Sequence, residues 1–458
     1  SFVYGADVAQ DWFGLFKDPA LDALVRQALA GNPNLEAARH GLAAAQYELR
    51  AVAGSALPQL QGSAQLSRSR LNGSFVNAPV DALGATANRI SIGPALAYDL
   101  DAFGGLRRTI QAQDAATAAA RDEALDTYVT LVDQVVVSAF DYASTQAQIE
   151  VTQALVRDLQ AQLELDRQLE AAGKITQADT LLAQAQLENT RADLPQLEQR
   201  RDTLVNAMAQ LLGRQPGAFA MPPLGLADFT LPPQLPVTLP AALVRQRPDI
   251  LQAEAGLRQA SAEIGVAQAA RLPSLNISAQ YAQQAIRLNE LLTQPGAIWE
   301  YGLNLSAPIF DGGQLKARHD EAIARYRQAL ARYRATVLAA LVDVADSMQA
   351  IQHDADAYSA RLRALQAARG SRDLSVAQFK AGTVGELSVL AAESQYQTAA
   401  LAQVQADAQR FADTAALFHA LGGGWWNAPA DPAAMPAPAA SAGGRSQPGF
   451  RGLMESSR

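Results

Sequence analysis

Residues Leu106 to Ala171 contain neither proline nor glycine, and they are mostly Ala, Leu, Gln, Glu, Asp, Arg and Val. At 1.5 Å per residue this run allows a helix roughly 100 Å long, far beyond the three or four turns usual in globular proteins. Apolar residues recur along it at steps of three and four: Leu125, Val129, Val132, Val136, Phe140, Ala147, Val151, Leu155, Leu159 and Leu163. A helix of that length needs lengthwise packing, as in a coiled coil. A second run, Leu315 to Ala368, is expected to be interrupted at Gly370 and to resume to Ala381.

The two runs belong to two copies of one unit. Pro58 and Pro273 are 215 positions apart, as are Pro33 and Pro248. Gly104–Gly105 and Gly312–Gly313 are 208 apart; Gly173 and Gly382, like Gly213 and Gly422, are 209 apart. Five matches in one order argue for duplication. The fall from 215 to 208 puts extra residues in the first half between Pro58 and Gly104, where a surface loop absorbs them at little entropic cost. The period is too long for a solenoid. Each half reads helix, non-helical insert, very long helix, glycine break, return helix. The return helices are expected at Gln177–Leu212, kinked by Pro195, and Leu387–Leu421.

The inserts read as strands. Leu60, Gly62, Ala64 and Leu66 alternate with Gln59, Gln61, Ser63 and Gln65; Ile90, Ile92, Leu96, Tyr98 and Leu100 alternate with Arg89, Ser91 and Asp99. The second half repeats this with Leu275, Ile277, Ala279 and Tyr281, then with Trp299, Tyr301, Leu303, Leu305 and Ile309. Strands are expected over about 59–68, 89–100, 274–283 and 298–309. About ten residues suffice for a tilted strand to cross a bilayer. Two readings remain at this point: a soluble sheet with one face on a core, or a membrane sheet. Four strands cannot close a conducting barrel, and open edges in hydrocarbon are costly, so the membrane reading requires other copies of the chain.

Composition narrows the function. The 458 residues would suggest about three domains on length alone. The chain is 49% hydrophobic, only 6% aromatic, and carries a formal charge of −8, which disfavours nucleic acid as a partner. There is no cysteine, which excludes disulfides, Cys-ligated metals and a thiol nucleophile. Ser1 to Asp11 lack the basic start and apolar run of a signal peptide, so the chain reads as mature, truncated or cytosolic. Whether a lipidated cysteine preceded Ser1, making a lipoprotein, stays open. No stretch of 18 uninterrupted apolar residues occurs.

With these features in place the chain resembles the TolC-type outer-membrane efflux channels, in particular the subgroup paired with resistance–nodulation–division pumps. The resemblance rests on "ALPQL" and "RLPSLN" before each hairpin, "APIFDGGQLKAR" at a strand-to-helix junction and "AGKITQADTLLAQ" and "AGTVGELSVLAAESQ" at the turns. "QRPDI" opening the second half and "DWFGLFKDPALDALVRQAL" near the start add to it. It implies a mixed helix-and-strand membrane protein: a homotrimer sharing a 12-stranded β-barrel, four strands per chain, above a long periplasmic α-helical barrel. It also implies a periplasmic adaptor and an inner-membrane pump as partners, and outer-membrane lipid around the barrel. The expected organisation is a first repeat at 1–212 with its helical hairpin at about 106–212. A proline-rich equatorial linker at 213–240 follows, then a second repeat at 241–426 with its hairpin at about 313–421, and a disordered tail at 427–458.

Site expectations follow. Gly104, Gly105, Gly312 and Gly313 mark the strand-to-helix junctions, with Asp101 and Asp311 placed to cap the helices. Tyr98, Tyr281, Trp299 and Tyr301 are candidates for an interfacial aromatic band. Gly173, Lys174, Gly382, Thr383 and Gly385 form the periplasmic tips, which in relatives meet the adaptor. The family's constriction resembles a leucine, an aspartate four residues on and an arginine three further. Here Leu387 fits, but Ala391 and Ser394 stand at the other two positions. Glu386 and Glu393 flank them and Asp179 is the carboxylate of the first tip; near a threefold axis any of these would favour cations.

A catalytic reading finds no support. His40, His319, His353 and His419 are scattered, no zinc or phosphate-loop motif occurs, and Asp343 with Asp346 reads as a charged helix face. No cofactor or metal is expected. The functional expectation is a passive exit duct for small molecules such as drugs or toxic compounds. The alternatives are a non-channel coiled-coil scaffold, or a duct for metal ions or secreted protein.

Overall fold

The computed structural model describes residues 2–70, 86–238, 240–292 and 296–427. Residues 71–85, part of the Pro58–Gly104 stretch expected to hold the first half's extra residues, and residues 428–458 of the expected tail lie outside them. The described chain falls into two compact units. One takes residues up to Asn32, Tyr128–Arg247 and Asp343 onward; the other takes Pro33–Thr127 and Pro248–Val342. Each unit therefore draws on both halves of the sequence.

The duplicated order appears as α2 (Pro33–Gly54), β2 (Gln59–Arg70), β3 (Thr86–Leu100), α3 (Gly105–Ala171) and α4 (Gln177–Leu211). It recurs as α6 (Pro248–Ala269), β5 (Ser274–Ala285), β6 (Ala297–Ser306), α7 (Gln314–Lys380) and α8 (Glu386–Ala420). The long helices have 67 residues each and the return helices 35 each. The expected break at Gly370 is absent: α7 runs through it. A lone glycine costs a helix about 1 kcal/mol, too little to end one supported along its length. Pro195 lies inside α4, as expected of the first return helix. β6 stops at Ser306, short of 309, where Pro308 has no donor for a ladder.

In the second unit β2, β3, β5 and β6 form one antiparallel sheet in that order. Register places Leu60 opposite Leu96 and Ala64 opposite Ile92. Leu100 faces Leu275, Ile277 faces Tyr98 and Leu303, and Tyr281 faces Trp299. Residues opposite one another share a sheet face, so the four alternating patterns merge into one apolar side. The other side is polar: Asn276 Nδ2 donates to Asp99 Oδ1 at 2.5 Å and Asn304 Nδ2 to Ser278 Oγ at 3.4 Å.

The first unit has an aromatic core. The short turn Trp12–Phe16 inserts Trp12 and Phe16 against Phe418 and Phe140, with ring centroids 5.0 and 4.9 Å apart. Asp18 caps α1 (Pro19–Gly31) by accepting from the amides of Ala20 and Leu21 at 2.7 and 2.8 Å. The proline-rich linker joins this core: Leu224, Leu226 and Phe229 are buried, and β4 (Leu235–Val237) pairs in parallel with β1 (Phe2–Tyr4). Trp425, buried, donates to the Gln246 carbonyl at 2.7 Å.

The "QRPDI" segment supplies a pin. After α5 (Pro240–Gln246), the buried Arg247 donates twice to Asp343 Oδ2 at 3.0 Å and once to the Ala420 carbonyl at 3.1 Å. Asp343, read above as part of a charged face, thus ties α7 to the end of α8. Arg247→Ala is expected to cost about 2 kcal/mol, measured by chemical denaturation, because the Ala420 carbonyl loses its partner while half-exposed Asp343 can hydrate.

Candidate functional site

Both tips are built alike. At the end of α3 the Lys174 amide reaches back to the Leu169 carbonyl at 2.9 Å and the Gly173 amide to Glu170 at 2.8 Å. At the end of α7, Thr383 and Gly382 bond Gln378 and Phe379 in the same way, at 2.9 Å each. This double closure needs a left-handed residue, which Gly173 (φ 70°) and Gly382 (φ 71°) provide. The starts differ. Thr176 and Asp179 form a reciprocal capping box on α4, whereas Gly385 precedes α8 with no side chain to cap it. Hydrogen bonds from Thr176, backbone first, hold the Asp179 carboxyl below its usual range. Gly173, Lys174, Gly382, Thr383 and Gly385 are all exposed.

The constriction candidates divide by helix face. Leu387, Ala391 and Ser394 lie exposed along one stripe of α8. Glu386 and Glu393 point the other way and are buried, at 3% and 7% exposure. Glu386 sits beside Asp166 of α3, and burial, then the Asp166 charge, push it up to about 7. Glu393 is raised by burial and opposed by Arg372, whose guanidinium lies 3.9 Å away.

Arg372 is the central residue that sequence reading missed. It contacts Asp158 of α3 at 3.5 Å, Asp373 at 3.0 Å and Glu393, and lies 4.2 Å from the Tyr396 ring centroid. A signal existed: Arg372 stands ten residues before Gly382 and Glu393 eleven after, so a hairpin folded at that glycine brings them together. Leu181 and Leu182, exposed on α4 near the first tip, were missed too; no periodicity marks them.

At the strand-to-helix junctions Gly104, Gly312 and Gly313 have φ of 79°, 65° and 88°, as a tight transition requires. Gly105 differs: its φ is not positive, and a Cβ there would stand 3.0 Å from the Ala269 Cβ, so closeness to α6 is its constraint. Asp101 accepts from the Leu106 and Arg107 amides at 2.9 Å each, and Asp311 from Gly313 and Leu315 at 2.9 and 2.7 Å. Trp299 and Tyr301 stack 5.7 Å apart and are exposed, with Tyr281 directly across from Trp299. Tyr98 is half-buried and faces Ile277, two alternations from Tyr281. Among the described residues no helix is long and apolar enough to cross a membrane, and no group of acidic or histidine side chains could hold a metal ion.

A family model described as "Outer membrane efflux protein" matches residues 24–214 and 239–423. The pyoverdine export outer membrane protein OpmQ of Pseudomonas aeruginosa is 28% identical over 92% of this chain and 88% of its own length. The cation efflux system protein CusC of Escherichia coli O157:H7 is 28% identical over 90% of this chain and 88% of its own. The solved outer-membrane channel OprN superposes with a TM-score of 0.86 at 29% identity, covering 92% of this chain and 94% of that one.

Proposed function

The chain belongs to the outer membrane efflux protein family, and from that premise we propose that three copies of it form the exit duct of a tripartite efflux assembly. As a family member it is a TolC-type channel of the outer membrane with a periplasmic extension, not an enzyme. In the proposed assembly a periplasmic adaptor docks at the tips, through Gly173, Lys174, Gly382, Thr383 and Gly385, and an inner-membrane pump of the resistance–nodulation–division type supplies the energy. Small molecules such as drugs or toxic compounds leave passively.

The observation that carries this reading is the sheet: one continuous apolar face, with β2 and β6 at its two edges unpaired among the described residues. In a bilayer an unpaired strand edge leaves backbone groups without partners, and cyclic closure by further copies removes every edge. Three copies give 12 strands, the apolar face toward lipid and the Gln, Ser and Asn face toward water. The strands have 10 to 15 residues, enough to span. Long α7 is consistent with this, because Leu338, Val342 and Leu374 stay exposed on it. Neighbouring copies would cover them.

The proposed constriction is a neutral ring of Leu387, Ala391 and Ser394, since Glu386 and Glu393 face inward in each chain. The test combines native mass measurement in detergent with single-channel recording in planar bilayers. A trimer that conducts is expected, and Leu387→Gly is expected to raise the conductance of the resting channel. A non-conducting monomer would refute the duct; unchanged conductance in Leu387→Gly would refute this placement of the ring.

A further inference from the structure

We infer that the facing carboxyl groups of Asp166 and Glu386 are a proton-held latch, which fastens α8 to the first helical hairpin in acid and releases it in alkali. Asp166 lies in the last turns of α3 and Glu386 is the first residue of α8. Their exposures are 0% and 3%. The Gln162 amide donates to Asp166 Oδ1 at 2.8 Å. Asp166 Oδ2 and both oxygens of Glu386 are buried without a well-aligned hydrogen-bond donor among the described residues. The Gln162 amide, which bonds Asp166 Oδ1, lies near enough to Glu386 to offset only part of the rise in its pKa. Two ionised carboxylates only accept hydrogen bonds, so side by side and dry they would repel. A proton on one turns the contact into an O–H···O⁻ bond and removes the repulsion.

The surrounding charges do not substitute for that proton. Gln162 is the neutral neighbour on α3, and Asp179 at the start of α4 adds negative charge to both groups. From α7, Arg372 and Lys380 line an adjoining hollow of about 430 Å³ with Asp158, Asp373 and Glu393. Arg372 is engaged there by those three carboxylates.

Burial first, and Asp166 second, raise the Glu386 carboxyl from an ordinary 4.5 to about 7. Burial raises Asp166 as well, and the proton belongs to the pair. The sign follows: an acid raised on folding contributes its full stabilisation below about pH 4.5 and loses it as pH climbs through about 7. The latch therefore loosens between about pH 4.5 and 7 and is fully released on the alkaline side.

Hydrogen exchange read by mass spectrometry on the purified full chain in detergent tests this, with rates corrected for the intrinsic pH dependence of amide exchange. Peptides covering the first turns of α8 should lose protection about tenfold per pH unit between about pH 4.5 and 7 and level off above that, while peptides around Phe140 stay flat. Glu386→Gln, whose amide can donate to Asp166 at any pH, should keep the acid-side protection at pH 8.5. Asp166→Asn should do the same and serves if the first variant folds poorly. Flat protection in the unaltered chain, or a pH response that survives in either folded variant, would overturn the latch. The measurement needs no conduction, so it stands apart from the channel reading.

Discussion

Gly93→Val is expected to stop the membrane sheet from assembling. Gly93 lies in β3, an inner strand, and a Cβ built there would overlap the Tyr281 carbonyl oxygen and stand 2.6 Å from the Ala282 Cα on β5. Both obstacles are backbone, so no rotamer change relieves them. The ladder already lapses at this point: Ile92 pairs with Gln283 and Ala95 with Gln280, while Gly93 and Pro94 have no pair on β5. Pro94 has no amide hydrogen to donate, and the bare glycine beside it lets the two chains close up. Forcing a branched side chain into that gap should cost at least the ~3 kcal/mol at the top of the usual range for overpacking. Threefold assembly would repeat the damage in every copy. The readout is the yield of heat-modifiable oligomer in mild detergent. Gly62→Val on edge strand β2, where a Cβ meets nothing within 4 Å, should assemble normally. A Gly93→Val protein that assembles like the unaltered chain would disprove the close approach.

Phe140→Ala should cost the first unit about 3–5 kcal/mol, the range for emptying a buried phenylalanine site. Phe140 is 1% exposed and lies where four segments distant in sequence meet. Its ring centroid is 4.9 Å from Phe16 in the N-terminal turn, 4.9 Å from Phe229 in the linker and 5.4 Å from Phe411 on α8. Those rings cannot collapse inward without pulling on separate parts of the chain, so the cavity stays largely open. The loss should appear as a lower denaturant midpoint by tryptophan fluorescence, since Trp12 contacts both Phe16 and Phe418 in this core. Tyr47→Ala on α2, at 66% exposure, should change stability by less than about 0.5 kcal/mol. Equal effects of the two substitutions would show that the aromatic cluster is not a stabilising core.

Much of the fold was legible because its signals are local. Helix length follows from the absence of breakers, and the tips from glycines that accept a left-handed turn. The sheet follows from a period of two that four segments share. Gly370 misled because a breaker's weak local cost was weighed without the packing that offsets it. Gly105 was assigned to dihedral freedom when its constraint is a neighbouring helix, which no local pattern reveals.

The sequence by itself determined the duplication, the four strands with their apolar face, the hairpin tips and, through a resemblance since matched over most of the chain, the family. Tertiary structure alone decided which residues meet. It buried Glu386 and Glu393 while leaving Leu387, Ala391 and Ser394 exposed, and it made partners of Arg247 with Asp343 and Arg372 with Glu393. The reason is rotational phase. Adjacent residues on a helix point about 100° apart, so Glu386 and Leu387 can face opposite surroundings. On alanine-rich helices several faces are nearly equally apolar, and only contact with the neighbouring helices fixes which one turns inward.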